Sequence, residues 1–424
     1  MRTAVLAVVV ASLTSTAHAG VSLLLADRGT NKIWRLTDVN NNGSIETEEI
    51  FLWYDETNAS GTGLPDSINA LFAAPDGTII GGDTAVRAYY WFKDLNADGD
   101  VLDAGESRLL SDVSNASGAS TAAPSGGSFM PSGDVLVVNS SNASGCDAVY
   151  RCRDVNADGN WQGPGEMSAW VADSPVAFVS CGGPFSPQEI VVDGAGVGYL
   201  RNSSSGLFGV YRIEDLNGNG RADDDTMEFR RWYTGTNAGL ILEKDQARPG
   251  SLYYTNLASG GVDQILRLAD TSADGDADDA GEAVMVFSTG EANFGISDVL
   301  SLPNGDLLLS DNTGKRIVHL HDVDNDGLFS TPGERANLLV ATGTGIDDLR
   351  QMALLPSTPV CGTADYNGDG DIGTDQDIEA FFACLGGTCC ASCFPGGSDF
   401  NADGDAGTDQ DIESFFRVLG GGPC

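Results

Sequence analysis

The sequence predicts an all-β fold, a six-bladed β-propeller with calcium loops in its blades, followed by a small α-helical domain. Three observations predict it. A phrase of the form Asp-x-Asn/Asp-x-Asp/Asn-Gly starts at Asp38, Asp94, Asp154, Asp215, Asp270 and Asp322, at intervals of 56, 60, 61, 55 and 52 residues. Repeats longer than about 40 residues with strand character suggest propeller blades. The text between copies reads as four short strands, rich in β-branched and aromatic residues and bounded by Gly, Pro and Asn turns. Two further copies, at Asp365 and Asp399, run instead into stretches with helical apolar spacing.

Residues 1–19 read as a secretory signal: Arg2 gives the positive start, Ala4 to Leu13 the apolar stretch, and Ala17-His18-Ala19 a small-residue cleavage site. Secretion or display at the cell surface is therefore expected. No later apolar run reaches the ~18 residues that span a bilayer.

The propeller is expected over residues 20–356. It opens on a second strand, Ser22 to Ala26, and the missing first strand of that blade is expected late, from Asp348 to Leu355. Such an exchange ties the two ends of the ring together and removes an exposed edge. The second unit reads as Ile68 to Ala74, Thr78 to Gly82, Tyr89 to Lys93 and Ser107 to Ser111. The sixth follows the same order, with Ile296 to Leu302, Asp306 to Ser310, Arg316 to His321 and Ala336 to Ala341. Each loop joins a third strand, such as Ile33-Trp34-Arg35-Leu36, to the fourth.

A linker over 357–364 leads to the last domain, 365–424, in which residues 399–419 repeat 365–385 at an offset of 34. Thr374 and Thr408 are expected N-caps, with Asp377 and Asp411 three residues on as in a capping box. Ile378, Phe381, Phe382 and Leu385 form an apolar stripe, matched by Ile412, Phe415, Phe416 and Leu419, and the two stripes are expected to bury each other. So small a core needs calcium and disulfides in support.

The loops carry the chemistry. Oxygen side chains at positions one, three and five, with Gly at six for the sharp turn, make the first half of an EF-hand-type calcium loop. A lone copy is as well explained by a local Asx turn. Eight copies favour metal. The expected ligands are Asp38, Asn40, Asn42 and Glu49 in loop one, and Asp94, Asn96, Asp98, Asp100 and Glu106 in loop two. Loop three offers Asp154, Asn156, Asp158 and Glu166, and loop four Asp215, Asn217 and Asn219. Loop five offers Asp270, Ser272, Asp274, Asp276 and Glu282, and loop six Asp322, Asp324, Asp326 and Glu334. In the tail they are Asp365, Asn367, Asp369, Asp371 and Asp377, then Asp399, Asn401, Asp403, Asp405 and Asp411. Loops two, five and six are expected to bind best, and loop four least, because Asp223 and Asp225 make it irregular before Glu228.

The formal charge is −39, and 37 of the 61 acidic residues fall in these loops. A salt-adapted surface would scatter its acids, so the clustering favours metal sites, and bound Ca2+ would relieve the self-repulsion. Nucleic acid and anionic membranes are excluded as partners by the same charge.

Nine cysteines suit an oxidising compartment, and the odd number leaves at least one thiol free or paired between chains. Alignment of the two tail halves favours the pairs Cys361–Cys390 and Cys393–Cys424. Catalysis is poorly supported. Asp27, Asp83, Asn139, Asn202, Asn256 and Asp311 each end a second strand, and a residue type that recurs in every blade is better read as an Asx turn shaping the strand exit. His319 takes a place held by arginine in four other blades, which marks it as a surface strand residue. No Gly-x-Ser-x-Gly elbow, His-Glu-x-x-His helix or phosphate-binding glycine loop is present.

On these residues the tail resembles the type I dockerin repeat, a duplicated calcium loop and helix, which implies docking to a surface or scaffold protein of cohesin type. The acid ending each loop falls one position late for that family, at Asp377 and Asp411, and the cysteines are foreign to it. The body is similar in pattern to NHL-type and regucalcin/gluconolactonase-type propellers, and its loops are similar in logic to the calcium hairpins of integrin-type propellers. A propeller joined to such a tail resembles secreted proteins of planctomycete-type bacteria. The leading expectation is an exported, non-enzymatic calcium propeller that attaches or docks through its tail. The alternatives are a secreted enzyme acting on sugars or lactones, of hydrolase or quinoprotein dehydrogenase type, and a lectin-like module with a carbohydrate ligand.

Overall fold

The computed structural model describes residues 21–63, 67–140, 147–172, 186–204, 206–222, 227–236, 239, 241–257, 262–290, 294–355, 364–369, 371–390, 393, 397–398, 400 and 407–420. Two compact units divide between Leu354 and Leu355. The first is a six-bladed β-propeller of four-stranded antiparallel sheets. Blade one begins with β1 (Ser22–Asp27), β2 (Lys32–Thr37) and β3 (Ile50–Tyr54). Blade two is β4 (Ile68–Ala73), β5 (Ile79–Asp83), β6 (Ala88–Phe92) and β7 (Ser107–Ser111). Blade three is β8 (Pro124–Phe129), β9 (Val135–Asn139), β10 (Ala148–Cys152) and β11 (Met167–Ala172). Blade four is β12 (Pro187–Val192), β13 (Gly198–Asn202), β14 (Gly209–Ile213) and β15 (Phe229–Thr234). Blade five is β16 (Leu242–Lys244), β17 (Ser251–Asn256), β18 (Gln264–Ala269) and β19 (Ala283–Ser288). Blade six is β20 (Ile296–Ser301), β21 (Leu307–Asp311), β22 (Arg316–Leu320) and β23 (Arg335–Val340).

The chain then returns to the start. β24 (Leu349–Leu354) pairs antiparallel with β1, setting Leu23 against Leu354 and Leu25 against Met352, in the order β24-β1-β2-β3. The late strand expected from the sequence therefore forms, one residue shorter at each end. First strands touch their neighbours right round the ring, from β24 through β4, β8, β12, β16 and β20 and back. Second strands are the most enclosed: β5, β9 and β21 are buried at every residue. Their short continuous apolar runs, such as Val135 to Val138, suit a strand covered on both faces. Between the blades lie apolar layers, for example Tyr253, Ile265 and Phe287 of blade five against Val299, Leu307 and Leu309 of blade six.

The second unit carries α1 (Asp375–Leu385) and α2 (Asp409–Leu419). Both start with the expected capping box, Thr374 with Asp377 and Thr408 with Asp411. Phe381 and Phe415 stack with ring centroids 4.1 Å apart and are fully buried. The expected four-residue stripes are corrected at Phe382 and Phe416, which are 44% and 47% exposed. Successive helix residues point about 100° apart, so only one of each Phe-Phe pair can face the core. Tyr366 and Phe400, from position two of the tail loops, fill the core instead.

The disulfides are also corrected. Cys384 pairs with Cys389, and Cys390 with Cys393, which removes both Cys361–Cys390 and Cys393–Cys424. Aligning two halves matches sequence positions but says nothing of distance. Cys390 and Cys393 are three positions apart in sequence and their Cα atoms lie 5.1 Å apart, within bonding range. Cys152, on β10, is free and buried. Residues 1–19, Cys146, Cys181, Asp223, Asp225, the linker to residue 363, Asp399, Asn401, Asp403, Asp405 and Cys424 lie outside the described residues. No described helix is long and apolar enough to cross a membrane.

Candidate metal centres

Each blade loop leaves its third strand and reverses within six residues, and hydrogen bonds to the position-one aspartate hold the reversal. Its Oδ2 accepts the N–H of the position-six glycine at 2.8–2.9 Å in all six blades. Those glycines have φ between 79° and 101°, where a side chain would be strained. The position-three oxygens of Asn40, Asn96, Asn156, Asn217 and Asp324 accept the N–H of position five. Position five does the same for position seven, as from Asn42 to Ser44 and from Asp326 to Leu328. Asp100 and Asp276, at position seven, extend the series by accepting from Leu102 and Asp278. In the first tail loop Asp365 and Asn367 accept from Asp369, and Asp369 from Asp371. Consecutive Asx turns thus explain the spacing locally.

The terminal acid acts as a clasp. One oxygen of Glu106 accepts the N–H groups of Leu95 and Asn96, and the other accepts Asp103 N–H. Glu49, Glu166 and Glu282 repeat the pattern, and Glu334 accepts from Val323 and Thr331. All are buried. In loop four one oxygen of Glu228 accepts from Leu216 and Asn217 at 3.0 Å, so the irregular spacing there keeps that half of the clasp. Asp377 clasps Asn367 and Thr374, and Asp411 clasps Thr408. Position twelve, thirteen or fourteen serves equally, because the acid needs only to reach back across the turn.

Among the described residues, three loops gather three carboxylate oxygens around one point. In Asp154, Asp158 and Glu166, in Asp270, Asp274 and Glu282, and in Asp322, Asp324 and Asp326, one oxygen of each group lies within 4.8 Å of the others. Oxygens bound to one calcium at 2.3–2.6 Å lie within about that separation. These carboxylate clusters fall in loops three, five and six, and the sequence favours loops two, five and six for binding. Loops two and three share an amide bond from position three to position five, and in loop two the Asn96 amide donates to Asp103 as well. Loop five gives the clearest test of fit. Asp270 Oδ1 is buried and accepts no hydrogen bond, while Oδ2 is held by Gly275. The charge of Asp274, then that of Glu282, pushes the neighbouring Asp279 carboxyl above its ordinary range. Buried, unsatisfied and surrounded by like charge, the Asp270 oxygen fits a hard cation.

Of the strand-exit residues, Asp27, Asp83 and Asn202 make the expected Asx turn, accepting the N–H two residues on, whereas Asn256 donates its amide to Gln264. Asp83, Asn139, Asn202 and Asp311 accept the N–H of Ser67, Ala123, Ser186 and Gly295, pinning the segment that enters each first strand. Asp27 accepts Asp347 and Asp348 N–H at the ring seam. His319 Nε2 and His321 Nδ1 both bond Asp306, at 2.8 and 2.7 Å, where blade three uses Arg151 and Arg153 on Asp134.

A second acidic group escaped the sequence reading. Glu189, Glu243 and Asp298 stand on the first strands β12, β16 and β20 of consecutive blades. Burial pushes all three carboxyls up, Asp298 to about 7 and Glu243 to about 8. The charge of Asp298 raises the other two further. Asp298 Oδ2 accepts Met352 N–H from the next first strand at 2.5 Å. Ala70 and Gly126 hold the place of Asp298 in blades two and three, and that break in the repeat was the available signal.

Neither protein-family models nor curated protein sequences match this chain. Among solved structures it is similar to a chain of a nidogen/laminin complex at 14% identity and TM-score 0.52, covering 79% of this chain and 98% of that one. The PQQ-bound aldose sugar dehydrogenase of Streptomyces coelicolor is similar at 14% identity and TM-score 0.47, over 69% and 86% of the two chains. The calcium-binding protein regucalcin of Agrobacterium tumefaciens follows at 10% identity and TM-score 0.40, over 63% and 73%. Identities this low speak to the fold alone, which is that of a six-bladed β-propeller.

Proposed function

We propose that this chain is an exported calcium-binding β-propeller whose tail attaches it to a surface or docks it onto another protein. The observation that carries the reading is the loop-five cluster of Asp270, Asp274 and Glu282, with the buried and unbonded Asp270 Oδ1 among them. Calcium, when bound, would neutralise crowded carboxylates and tie loop oxygens to one centre. Export rests on residues 1–19, and docking on the duplicated tail. Support for docking comes from Phe382 and Phe416, both exposed and 6.2 Å apart on the paired helices.

Isothermal titration tests the metal. Uptake of several calcium ions is expected, with a rise in melting temperature, because an ion at 100 times its Kd stabilises by about 2.7 kcal/mol per site. Asp270→Ala with Asp274→Ala removes about one ion. A chain that takes up no calcium at millimolar concentration ends the reading.

A second reading is favoured by one feature. Glu243 and Asp298, whose carboxyls are pushed up to about 8 and about 7 at positions that break the repeat, have the raised acidity that an enzyme acting on sugars or lactones needs in a general acid.

A further inference from the structure

The calcium loops do more than close on themselves. Position eight of each loop donates its N–H to the fourth strand of the preceding blade. Val101 N bonds Trp53 O at 3.0 Å, Trp161 N bonds Leu110 O at 2.7 Å, and Ala222 N bonds Trp170 O at 2.9 Å. Ala277 N bonds Trp232 O at 2.7 Å, and Phe329 N bonds Val286 O at 2.8 Å. Ile45 N bonds Leu338 O at 2.6 Å, which carries the pattern across the junction of blade six with blade one. All six position-eight side chains are buried.

The acceptors are prepared for this. In every fourth strand the pairing register shifts at one residue, and that residue is the acceptor. Tyr54 and Leu52 pair with β2 while Trp53 is skipped, and Ser111 and Leu109 pair with β6 while Leu110 is skipped. Trp170, Trp232, Val286 and Leu338 are skipped likewise. A bulge leaves its extra residue unpaired in its own ladder. Its carbonyl is then available to the next blade, and its side chain enters the layer between blades, where all six are 1–3% exposed. Arginines reach across two of these junctions to the loop itself. Arg108 Nε donates to Gly159 O at 2.7 Å, and Arg267 Nη1 donates to Gly327 O at 3.2 Å, each at position six.

We propose that each calcium loop is the lock of a blade junction, so that cation binding and the joining of neighbouring blades are one equilibrium. The inference rests on calcium occupying the loops. Position eight is two residues beyond the glycine that the position-one aspartate holds, and only four to six residues before the clasping acid. Both ends of that segment belong to the cation site. Losing the ion releases carboxylate repulsion at both ends, and the segment between them carries the bond to the preceding blade. The bulge-and-loop pair thus acts as a calcium-dependent cover for a fourth-strand edge that would otherwise be exposed.

Hydrogen exchange on the full chain tests this, with calcium added to about 100 times the Kd found by titration. If opening of a junction requires loss of the ion, exchange at Phe329 and along β19 slows by about 100-fold on saturation. Asp322→Ala with Asp326→Ala removes that protection at Phe329 and in β19, while β20 and β21 of its own blade stay protected. Asp326→Asn serves where the double variant fails to fold, and Arg267→Gln weakens the same junction alone. Exchange that rises only within residues 322–328 and 330–334 overturns the proposal, as does a uniform change over all strands. A chain that takes up no calcium fails the titration first, and then the functional reading falls together with this one.

Discussion

Asp298 is an acid where blades two and three carry alanine or glycine, and its surroundings favour the protonated form. Burial raises it from an ordinary 3.8 to about 7, and burial with the charge of Asp298 takes Glu243 from 4.5 to about 8. Between those values the folded chain holds protons that the unfolded chain has lost, so its stability falls as pH rises. The contribution is fully present below about pH 4 and is lost by about pH 8. Replacing Asp298 with Asn is therefore expected to raise the melting temperature at pH 8 relative to wild type and to leave it nearly unchanged at pH 4. A difference independent of pH argues against a raised Asp298 carboxyl in the folded chain. The same variant separates the two functional readings: if the cluster is catalytic, turnover of a sugar or lactone disappears with it. Wild type and variant equally inert toward such substrates leave the cluster as a stitch between first strands. None of this was legible in the composition, because acids are everywhere in this chain. Only the convergence of β12, β16 and β20 makes three of them neighbours.

At the scale of the element, loop and helix repay the same sequence phrase differently. In the blades, position two is exposed: Val39, Leu95, Val155, Leu216 and Val323 are 54–64% exposed. In the tail the same position is Tyr366 and Phe400, wholly buried against Phe381 and Phe415. The caps and the apolar period were readable, since an N-cap and its partner are three residues apart whatever the fold. Which phenylalanine faces inward was not, because that depends on where the partner helix lies. The outcome leaves Phe382 and Phe416 as a paired aromatic patch. Residues 361–424 fused to an unrelated carrier are expected to be retained at the producing cell's surface and released by chelation. Phe382→Ala with Phe416→Ala should abolish retention without loss of helix by circular dichroism. Retention that survives both chelation and the double variant assigns the tail a different contact or none.

For the whole molecule the decisive contact joins residues more than 300 apart in sequence. β24 pairs with β1, Leu349 and Met352 enter the core beside Leu23 and Leu25, and Asp27 binds the backbone of Asp347 and Asp348. A chain ending at residue 356 should keep its melting temperature, since the propeller is then complete. Ending it at Ile346 removes the buried side chains of β24, each worth about 1.5–3 kcal/mol. The melting temperature should fall on the order of 10 °C. Equal stability of the two truncations would mean that the ring holds without its closing strand.

The sequence by itself determined the number of blades, the strand order within each, the closing strand and the position of each blade loop, because each rests on local rules. Asx turns, glycines at positive φ and apolar runs of strand length act within a few residues. It also placed the clasping acids of the other described loops, but not Glu228 of loop four, whose extra residue hid it. What the tertiary structure decided is what crosses between repeats. Asp298 meets Glu243, Trp53 lends its carbonyl to Val101, and Cys390 turns to Cys393 rather than to a distant partner. These depend on distances between segments that no local pattern encodes. A repeat announces itself in one dimension, but the contacts that lock it into a ring exist only in three.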